Sequence, residues 1–205
     1  AVCGIVIGNA AGTWGFIADL GDIEAVWLLA RMHHFGFGVS ENVNQAVTLY
    51  QYAADQGHAG AQRDLGAVYE TGYGVEQSFE QALRWRKLAA AQGDSAAIFE
   101  IGTMYDDAQG VREDHHSSFR WYREAAELGH REAQWYLALM FKDGEAVQQS
   151  DERAYFWTVI AELNGHVMAR YTKDDLIDEL SVETQAQVIR AAKRCLNTEY
   201  RDCGF

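Results

Sequence analysis

The chain has 205 residues, no proline, and 30 acidic against 17 basic side chains, which gives a formal net charge of −13. Because so acidic a chain repels phosphate backbones and anionic lipid surfaces, we expect it to bind neither nucleic acid nor a membrane surface. None of its apolar runs approaches the roughly 18 residues that a transmembrane helix needs, so the sequence predicts no membrane insertion.

Residues 1–20 precede a pattern that repeats every 36 residues. Ala10 and Ala18 match Ala46 and Ala54 at that spacing, which indicates a degenerate second helix of an earlier repeat. The competing interpretation is the end of a secretory signal or a flexible leader. The sequence leaves both interpretations open.

From residue 21 the repeat is marked by a column of five glycines, each 36 residues after the last: Gly21, Gly57, Gly93, Gly129 and Gly165. A fixed period in the range of about 20–50 residues is typical of solenoids. The spacing predicts four repeats, over residues 21–58, 59–94, 95–130 and 131–166.

The first half of each repeat is predicted to be a helix with one buried face. Leu65 and Tyr69 are four residues apart and therefore share that face. Gly66 lies between them, and a glycine inside a helix costs about 1 kcal/mol relative to alanine. We therefore predict that a partner helix packs too closely here, and at Gly102 in the third repeat, for a larger side chain. The buried anchors are Leu29, Leu65, Ile101 and Leu137.

A glycine-rich turn and a capped second helix complete each repeat. In the later turns Ala108 and Ala146 replace a glycine, so those turns are expected to be strained or differently shaped. The predicted N-caps of the second helices are Asn42, Ser78, Asp114 and Ser150. Ser78 and Gln81 have the spacing of a capping box.

After the last repeat the pattern changes. Residues 167–179 are predicted to form a fifth first helix, and Ser181 is predicted to cap a final helix over 182–198. The shared face of that helix is predicted to hold Gln185, Ile189, Ala192 and Leu196. Terminal units of solenoids are usually atypical, so residues 167–205 are interpreted as a C-terminal cap.

The repeated pattern A…LG..Y..G.GV..(D/S/N)…A..W…AA..G resembles the Sel-one-like repeat family, which is related to tetratricopeptide proteins. The resemblance covers residues 21–166. It implies an all-α fold: a right-handed α-solenoid (α/α superhelix) of helical hairpins, with about four 36-residue repeats plus a C-terminal capping helix. The whole chain, 1–205, is interpreted as one domain. The proline that is common after the turn valine in that family is missing here, which leaves the rigidity of the loops open.

The three cysteines form no repeating column. Cys195 and Cys203 could pair across the tail, but an odd count without a column argues against a disulfide framework. This separates the chain from cysteine-rich members of the resembled family. A cytoplasmic location is predicted, with the periplasm as the alternative.

The histidine column His58, His130 and His166 invites a metal interpretation. Helix axes in neighbouring hairpins lie about 8–10 Å apart, whereas zinc ligands lie about 2 Å from one ion. We therefore predict no metal site. The sequence also shows no nucleophile with a base and no phosphate loop, so we expect no cofactor and no enzyme activity.

The predicted interaction surface follows from the resemblance, which implies that the first helices line the concave side. The candidate partner-binding residues on it are Trp27, Arg31, Arg63, Glu70, Phe99, Asp106, Trp135 and Lys142. Aromatic side chains flanked by charges are typical of binding hot spots. For the rings of Trp27, Phe99 and Trp135, however, we favour packing between hairpins over contact with a partner.

The resemblance implies a non-catalytic protein-protein interaction module or adaptor that binds a peptide or protein on its concave face. The acidic charge favours a partner with a basic patch. Two alternatives stay open. One is a hydrolase of the β-lactamase-like kind described for cysteine-rich relatives, and the other is a self-associating structural protein.

Overall fold

The structure is a computed structural model that describes residues 21–201 and 203. The chain divides into two compact units, Ala1–Ala97 and Ile98–Phe205. The interpretation of the whole chain as a single domain stays a prediction. The two interpretations of residues 1–20 lie outside the described residues.

The described residues form ten α-helices and no β-strand. In chain order they are α1 (Ile23–Phe35), α2 (Val43–Asp55), α3 (Ala59–Thr71), α4 (Phe79–Ala90), α5 (Ser95–Asp106), α6 (His115–Glu127), α7 (Arg131–Asp143), α8 (Asp151–Leu163), α9 (Ala169–Ile177) and α10 (Val182–Asn197). The first eight pair into four consecutive hairpins. This confirms the all-α fold and the four repeats of about 36 residues.

The five repeat glycines have a left-handed backbone, at φ values between 83° and 87°, and four of them, Gly57, Gly93, Gly129 and Gly165, end a hairpin. At Gly21, Gly57, Gly93 and Gly165 an added Cβ would meet nothing within 4 Å. Steric contact with neighbouring atoms therefore does not explain the glycine at these four positions. The positive φ angle selects it, because a Cβ destabilises that conformation.

The turn inside each hairpin also needs left-handed residues. Gly36, Gly72 and Gly144 follow the first helices with φ of 69°, 72° and 73°. Ala108 and Ala146 adopt the same region, at 56° and 59°. Of the two expectations for these turns, strain is therefore the correct one, and a left-handed alanine costs roughly 1–2 kcal/mol.

All four predicted N-caps of the second helices are present. Each side chain accepts a hydrogen bond from a backbone N–H in the first turn of its helix; the four residues are Asn42, Ser78, Asp114 and Ser150. The capping box at Ser78 forms only in half. Gln81 donates its N–H to the Ser78 hydroxyl, but the Ser78 N–H donates to the carbonyl of Tyr69 at 2.8 Å. The box is incomplete because that backbone bond, which closes the hairpin, already uses the Ser78 N–H.

The predicted close approach of the two helices in a hairpin is confirmed at both glycines. A Cβ on Gly66 would lie 2.9 Å from Cγ of Arg86 and 3.3 Å from the carbonyl oxygen of Ala82. A Cβ on Gly102 would lie 2.7 Å from two ring carbons of Tyr122. Both distances are shorter than a carbon–carbon contact at optimal separation, about 3.5–4.0 Å. A larger side chain therefore requires the partner helix to move.

Small and large apolar residues build the core of the first unit between α1, α2, α3 and α4. Tyr50, Leu65 and Val68 are fully buried there, and Trp85 fills the space beside them at 5% exposure. Of the predicted anchors, Leu65, Ile101 and Leu137 are completely buried, whereas Leu29 is half-buried.

The second unit ends with α9 and α10, which cover α8. Helix α9 is shorter than predicted, and Ser181 caps α10 as expected, since its hydroxyl accepts from the Thr184 N–H. The predicted shared face is displaced by one position. The buried residues of α10 are Val188, Ala191, Ala192 and Cys195. Their spacing of three and four residues places them on one face of the helix.

The tail is tied to α10 by a disulfide between Cys195 and Cys203. This is the pairing that the cysteine spacing left open. It is a single link near the end of the chain and does not staple the repeats to one another.

Candidate protein-interaction surface

The eight candidate residues lie on the first helices of the hairpins. Trp27 and Arg31 belong to α1, Arg63 and Glu70 to α3, Phe99 and Asp106 to α5, and Trp135 and Lys142 to α7. Every one of them is half-buried. Their contacts therefore decide which of them are used for packing and which stay accessible.

Each of the three candidate rings stacks on the histidine that ends its own repeat. The ring centroids lie 4.9 Å apart for Trp27 and His58. They lie 4.7 Å apart for Phe99 and His130, and 4.8 Å apart for Trp135 and His166. Each histidine follows its ring by 31 residues (58−27, 130−99 and 166−135). We refer to these as the ring–cap pairs, because His58 and His130 occupy the position just before the next helix, where a helix cap lies, and His166 stands in the same column.

Two histidines of the column are helix caps, whereas Nδ1 of the third, His166, is buried without a hydrogen-bond partner among the described residues. The Nδ1 atoms of His58 and His130 accept hydrogen bonds from the backbone N–H groups of Ala61 and Ala133, at 3.0 and 3.3 Å. Asp94 takes the same role in its repeat. A neutral imidazole can accept through one nitrogen, and an oxygen or nitrogen at this position satisfies a free N–H of the starting helix. Sequence reasoning assigned these histidines to surfaces and junctions and missed the capping.

In the second repeat an ion pair replaces the stacked rings. A guanidinium nitrogen of Arg63 lies 2.9 Å from a carboxylate oxygen of Asp94, at the same spacing of 31 residues. Asp94 also caps α5, because its other oxygen accepts from the Ala97 N–H at 2.9 Å. Arg63 is therefore a junction residue in the position of the rings. Reversing its charge would place two carboxylates beside one helix cap.

The tryptophan rings are held by a second contact as well. The indole N–H of Trp27 donates to Asp64 at 2.8 Å, and that of Trp135 donates to Thr172 at 3.0 Å. A Cβ on Gly60 would lie 3.1 Å from the Trp27 ring. These contacts support the packing role that we favoured, and contact of the rings with a partner stays a prediction.

Glu70 is bound to the second helix of its own hairpin. Its two oxygens accept from the guanidinium of Arg86 at 3.2 and 2.7 Å. Arg86 is only 3% exposed. A bidentate pair with a buried arginine is worth more than a surface ion pair, so Glu70 contributes to the hairpin itself.

Asp106 is surrounded by three donors at the end of α5. It accepts from Ser118 at 3.0 Å and from the Tyr122 hydroxyl at 3.2 Å, and it lies 3.0 Å from Nδ1 of His115. The hydrogen bond to Asp106 is the main cause that raises the pKa of His115. Burial is the main cause that raises the pKa of Tyr122. Asp106 therefore joins α5 to α6 through a polar network.

Arg31 and Lys142 are the least embedded of the eight. The side chain of Arg31 is 43% exposed and lies 4.0 Å from Asp64, over the ring of Trp27. Lys142 is 32% exposed and pairs at 2.9 Å with Asp175, which is itself 65% exposed. Ion pairs of this kind contribute only about 0–1 kcal/mol. These two cations can therefore exchange their partners for groups of another protein.

Within residues 21–201 and 203, no group of three or more histidine, cysteine, aspartate or glutamate side chains has the arrangement of a metal site. In the same part of the chain no helix is long and apolar enough to cross a membrane.

A family model described as Sel1 repeat matches residues 23–58, 59–94, 95–130 and 131–166, which are the four hairpins. No significant match is found among curated proteins.

Two solved structures are similar over nearly the whole chain. The Sel1 repeat protein from Oxalobacter formigenes is 28% identical with a TM-score of 0.80, over 92% of this chain and 80% of that one. The protein c5321, a protective antigen present in uropathogenic Escherichia coli strains that displays an SLR fold, is 29% identical with a TM-score of 0.80. That match covers 93% of this chain but only 41% of the antigen.

A third structure shares the fold alone. The immunity protein Pa5087 from Pseudomonas aeruginosa is 17% identical with a TM-score of 0.57, over 97% of this chain and 76% of that one.

Proposed function

Because the chain belongs to the Sel1 repeat family, whose members are generally protein-interaction modules, we propose that it is an adaptor that binds a peptide or protein on the concave face of its first helices. The fold is typically a non-catalytic scaffold. Neither the hydrolase nor the self-association alternative gains support from the contacts described above.

One observation carries this proposal. Most charged or aromatic candidates are used to join helices, but Arg31 in the first unit and Lys142 in the second keep exposed cationic groups in weak surface pairs. The fold does not need these two charges for packing. A partner that contacts either charge meets a preformed helix surface of that unit and requires little rearrangement of its backbone.

The proposal is tested by affinity capture from a lysate of the source cells, followed by mass spectrometry. We expect Arg31→Glu and Lys142→Glu to reduce enrichment of the partner by about tenfold or more, because like charges placed face to face oppose binding. The matched controls are Lys87→Glu and Arg123→Glu, which reverse exposed charges on the second helices α4 and α6. The melting temperature of each variant shows that it is folded.

A protein that the wild type and both controls enrich, and that the two first-helix variants lose, supports the proposed site. Equal enrichment by all five proteins contradicts the site on the first helices. Failure of the wild type to enrich any protein contradicts the function itself.

The net charge of −13 supports a partner that has a basic patch apart from the acidic groups that would face Arg31 and Lys142. Complementary charge mainly raises the association rate and disfavours wrong partners. Two of the candidate residues, Glu70 and Asp106, are acidic groups that hydrogen bonds hold in place. Their charges are therefore fixed in position before a partner arrives.

For the compartment, we propose the periplasmic alternative in place of the cytoplasm. Disulfides persist in oxidising compartments and are rare in the cytosol, and Cys195 is joined to Cys203. Alkylation of free thiols in intact source cells tests this, and we expect two of the three cysteines to be protected. Modification of all three without a reductant would support the cytoplasm.

A further inference from the structure

Four rings form a continuous row beside the turn of the first hairpin. Tyr73 comes from the turn of the second hairpin, and the other three rings, His34, Phe35 and Phe37, come from the first hairpin. Neighbouring ring centroids in this order are 4.9, 4.3 and 5.5 Å apart, with interplanar angles of 20°, 2° and 30°. Nδ1 of His34 lies 3.1 Å from the hydroxyl of the buried Tyr50, which fixes the middle of the row. We call these four side chains the ring row.

The repeat fold does not require an aromatic surface at this place. Phe35 is 51% exposed and Phe37 is 64% exposed, so neither contributes its full area to the core. The positions that correspond to Phe35 in the later repeats are all polar: Thr71, Asp107 and Asp143. At the position of Phe37 the second repeat keeps a ring, Tyr73, whereas the third and fourth have Gln109 and Glu145. Exposed rings that packing does not explain are a feature of interaction sites.

The charge beside the ring row is negative. The Tyr73 hydroxyl donates a hydrogen bond to the Glu41 carboxylate. A Cβ on Gly36, between the two phenylalanines, would lie 3.7 Å from the Glu41 nitrogen and 3.8 Å from its Cβ. Glu41 therefore borders the row.

The remainder of the first repeat has the same sign. Residues 21–58 contain four acidic side chains and one arginine, a net charge of −3 with the histidines neutral. That arginine, Arg31, already lies 4.0 Å from Asp64. Burial lowers the pKa of His34 and so favours the uncharged form of its ring. The row thus offers aromatic faces and a carboxylate to a cation.

We propose, on the basis of the protein-binding function above, that the ring row binds an arginine side chain of the partner, with its guanidinium stacked on the outer face of the end ring, Phe37, beside Phe35, and paired with Glu41. A guanidinium is planar and weakly hydrated, so it stacks on aromatic faces while its N–H groups bind a carboxylate. The ammonium of lysine cannot do both in the same way. The inference deepens the proposed function by giving the chemistry of one contact.

The test uses the full chain and two peptide probes of equal charge, acetyl-(Gly-Arg)3-amide and acetyl-(Gly-Lys)3-amide. Ring signals of labelled phenylalanine are followed by NMR during each titration. We expect the signals of Phe35 and Phe37 to shift with the arginine peptide, and the lysine peptide to bind about fivefold more weakly.

Variants taken from the other repeats locate the site without disturbing the fold. Phe35→Thr with Phe37→Gln introduces the residues of the second and third repeats, and Glu41→Gln introduces that of the second. Each is expected to weaken the arginine peptide by about fivefold. The control is Tyr52→Leu, which removes another exposed ring of the same repeat and is expected to leave the affinity unchanged.

Equal affinity for the two peptides, unmoved phenylalanine signals, or an arginine affinity that the ring-row variants leave intact each overturns the inference. These outcomes are independent of the capture experiment with Arg31 and Lys142. If a partner is captured through Arg31 and Lys142 but neither peptide binds the ring row, the proposed function is supported and the arginine contact is contradicted. If the arginine peptide binds the ring row but capture of the partner does not depend on Arg31 and Lys142, the site proposed at those two cations is contradicted and the ring row inference is supported.

Discussion

Gly102→Val is expected to lower the free energy of unfolding by about 3 kcal/mol, the upper end of what overpacking a core usually costs. An added Cβ at this position lies 2.7 Å from the ring of Tyr122, which is 1% exposed and bonded to Asp106 through its hydroxyl. The ring cannot turn away without breaking that bond. Helix α6 must therefore move, and the two methyl groups of valine increase the displacement. Chemical denaturation followed by circular dichroism measures the effect.

Two further variants separate overpacking from helix propensity. Gly66→Val meets the Cγ atom of Arg86, an unbranched aliphatic chain that adjusts more easily than a ring. We expect it to cost less than Gly102→Val. Glu124→Val adds the same side chain at an exposed position of α6 and is expected to cost under about 1 kcal/mol. If all three variants unfold at the same denaturant concentration, the helices are not in close contact at Gly102.

Periodicity made most of the fold predictable because each column has one physical requirement. A positive φ angle selects glycine at residue 57 and its equivalents, and a free N–H group selects Ser78 and its equivalents. The errors arose where one group has two possible partners. Gln81 has the spacing of a capping box, but the Ser78 N–H is used by the carbonyl of Tyr69. Spacing alone cannot rank such competing bonds.

The candidate surface was less predictable, because contacts between repeats join different residue types at one position. At this junction some repeats have an aromatic ring stacked on a histidine, whereas the second repeat has Arg63 paired with Asp94. No single residue type therefore identifies the junction in the sequence. A signal was present nonetheless. Asp94 stands in the column of His58 and His130 ahead of a helix, and aspartate is a preferred N-cap. Considering the column as a whole would have predicted the capping.

The largest effect among the ring–cap pairs is expected for Trp135→Ala, at about 3 kcal/mol of unfolding free energy, as for other deletions of a large packed ring. The substitution removes the stack on His166 and the hydrogen bond to Thr172. Both contacts lie within the second unit and join α7 to the segment that follows α8. Their loss exposes apolar surface on both sides of the junction.

Trp135→Phe distinguishes the two contacts. Phenylalanine occupies this column naturally at residue 99, where it stacks on His130, so the ring–cap pair should survive. Only the indole hydrogen bond is lost, and we expect a cost of about 1 kcal/mol.

The pair of variants also decides between packing and partner contact at this position. A packing role predicts that the loss of stability follows ring area, with alanine far worse than phenylalanine, in the absence of any partner. A ring that serves only a partner would leave the unfolding free energy of both variants near that of the wild type, and only the capture of the partner would change. Trp135 would then belong to the binding surface together with Lys142, which lies seven residues, about two helical turns, further along α7.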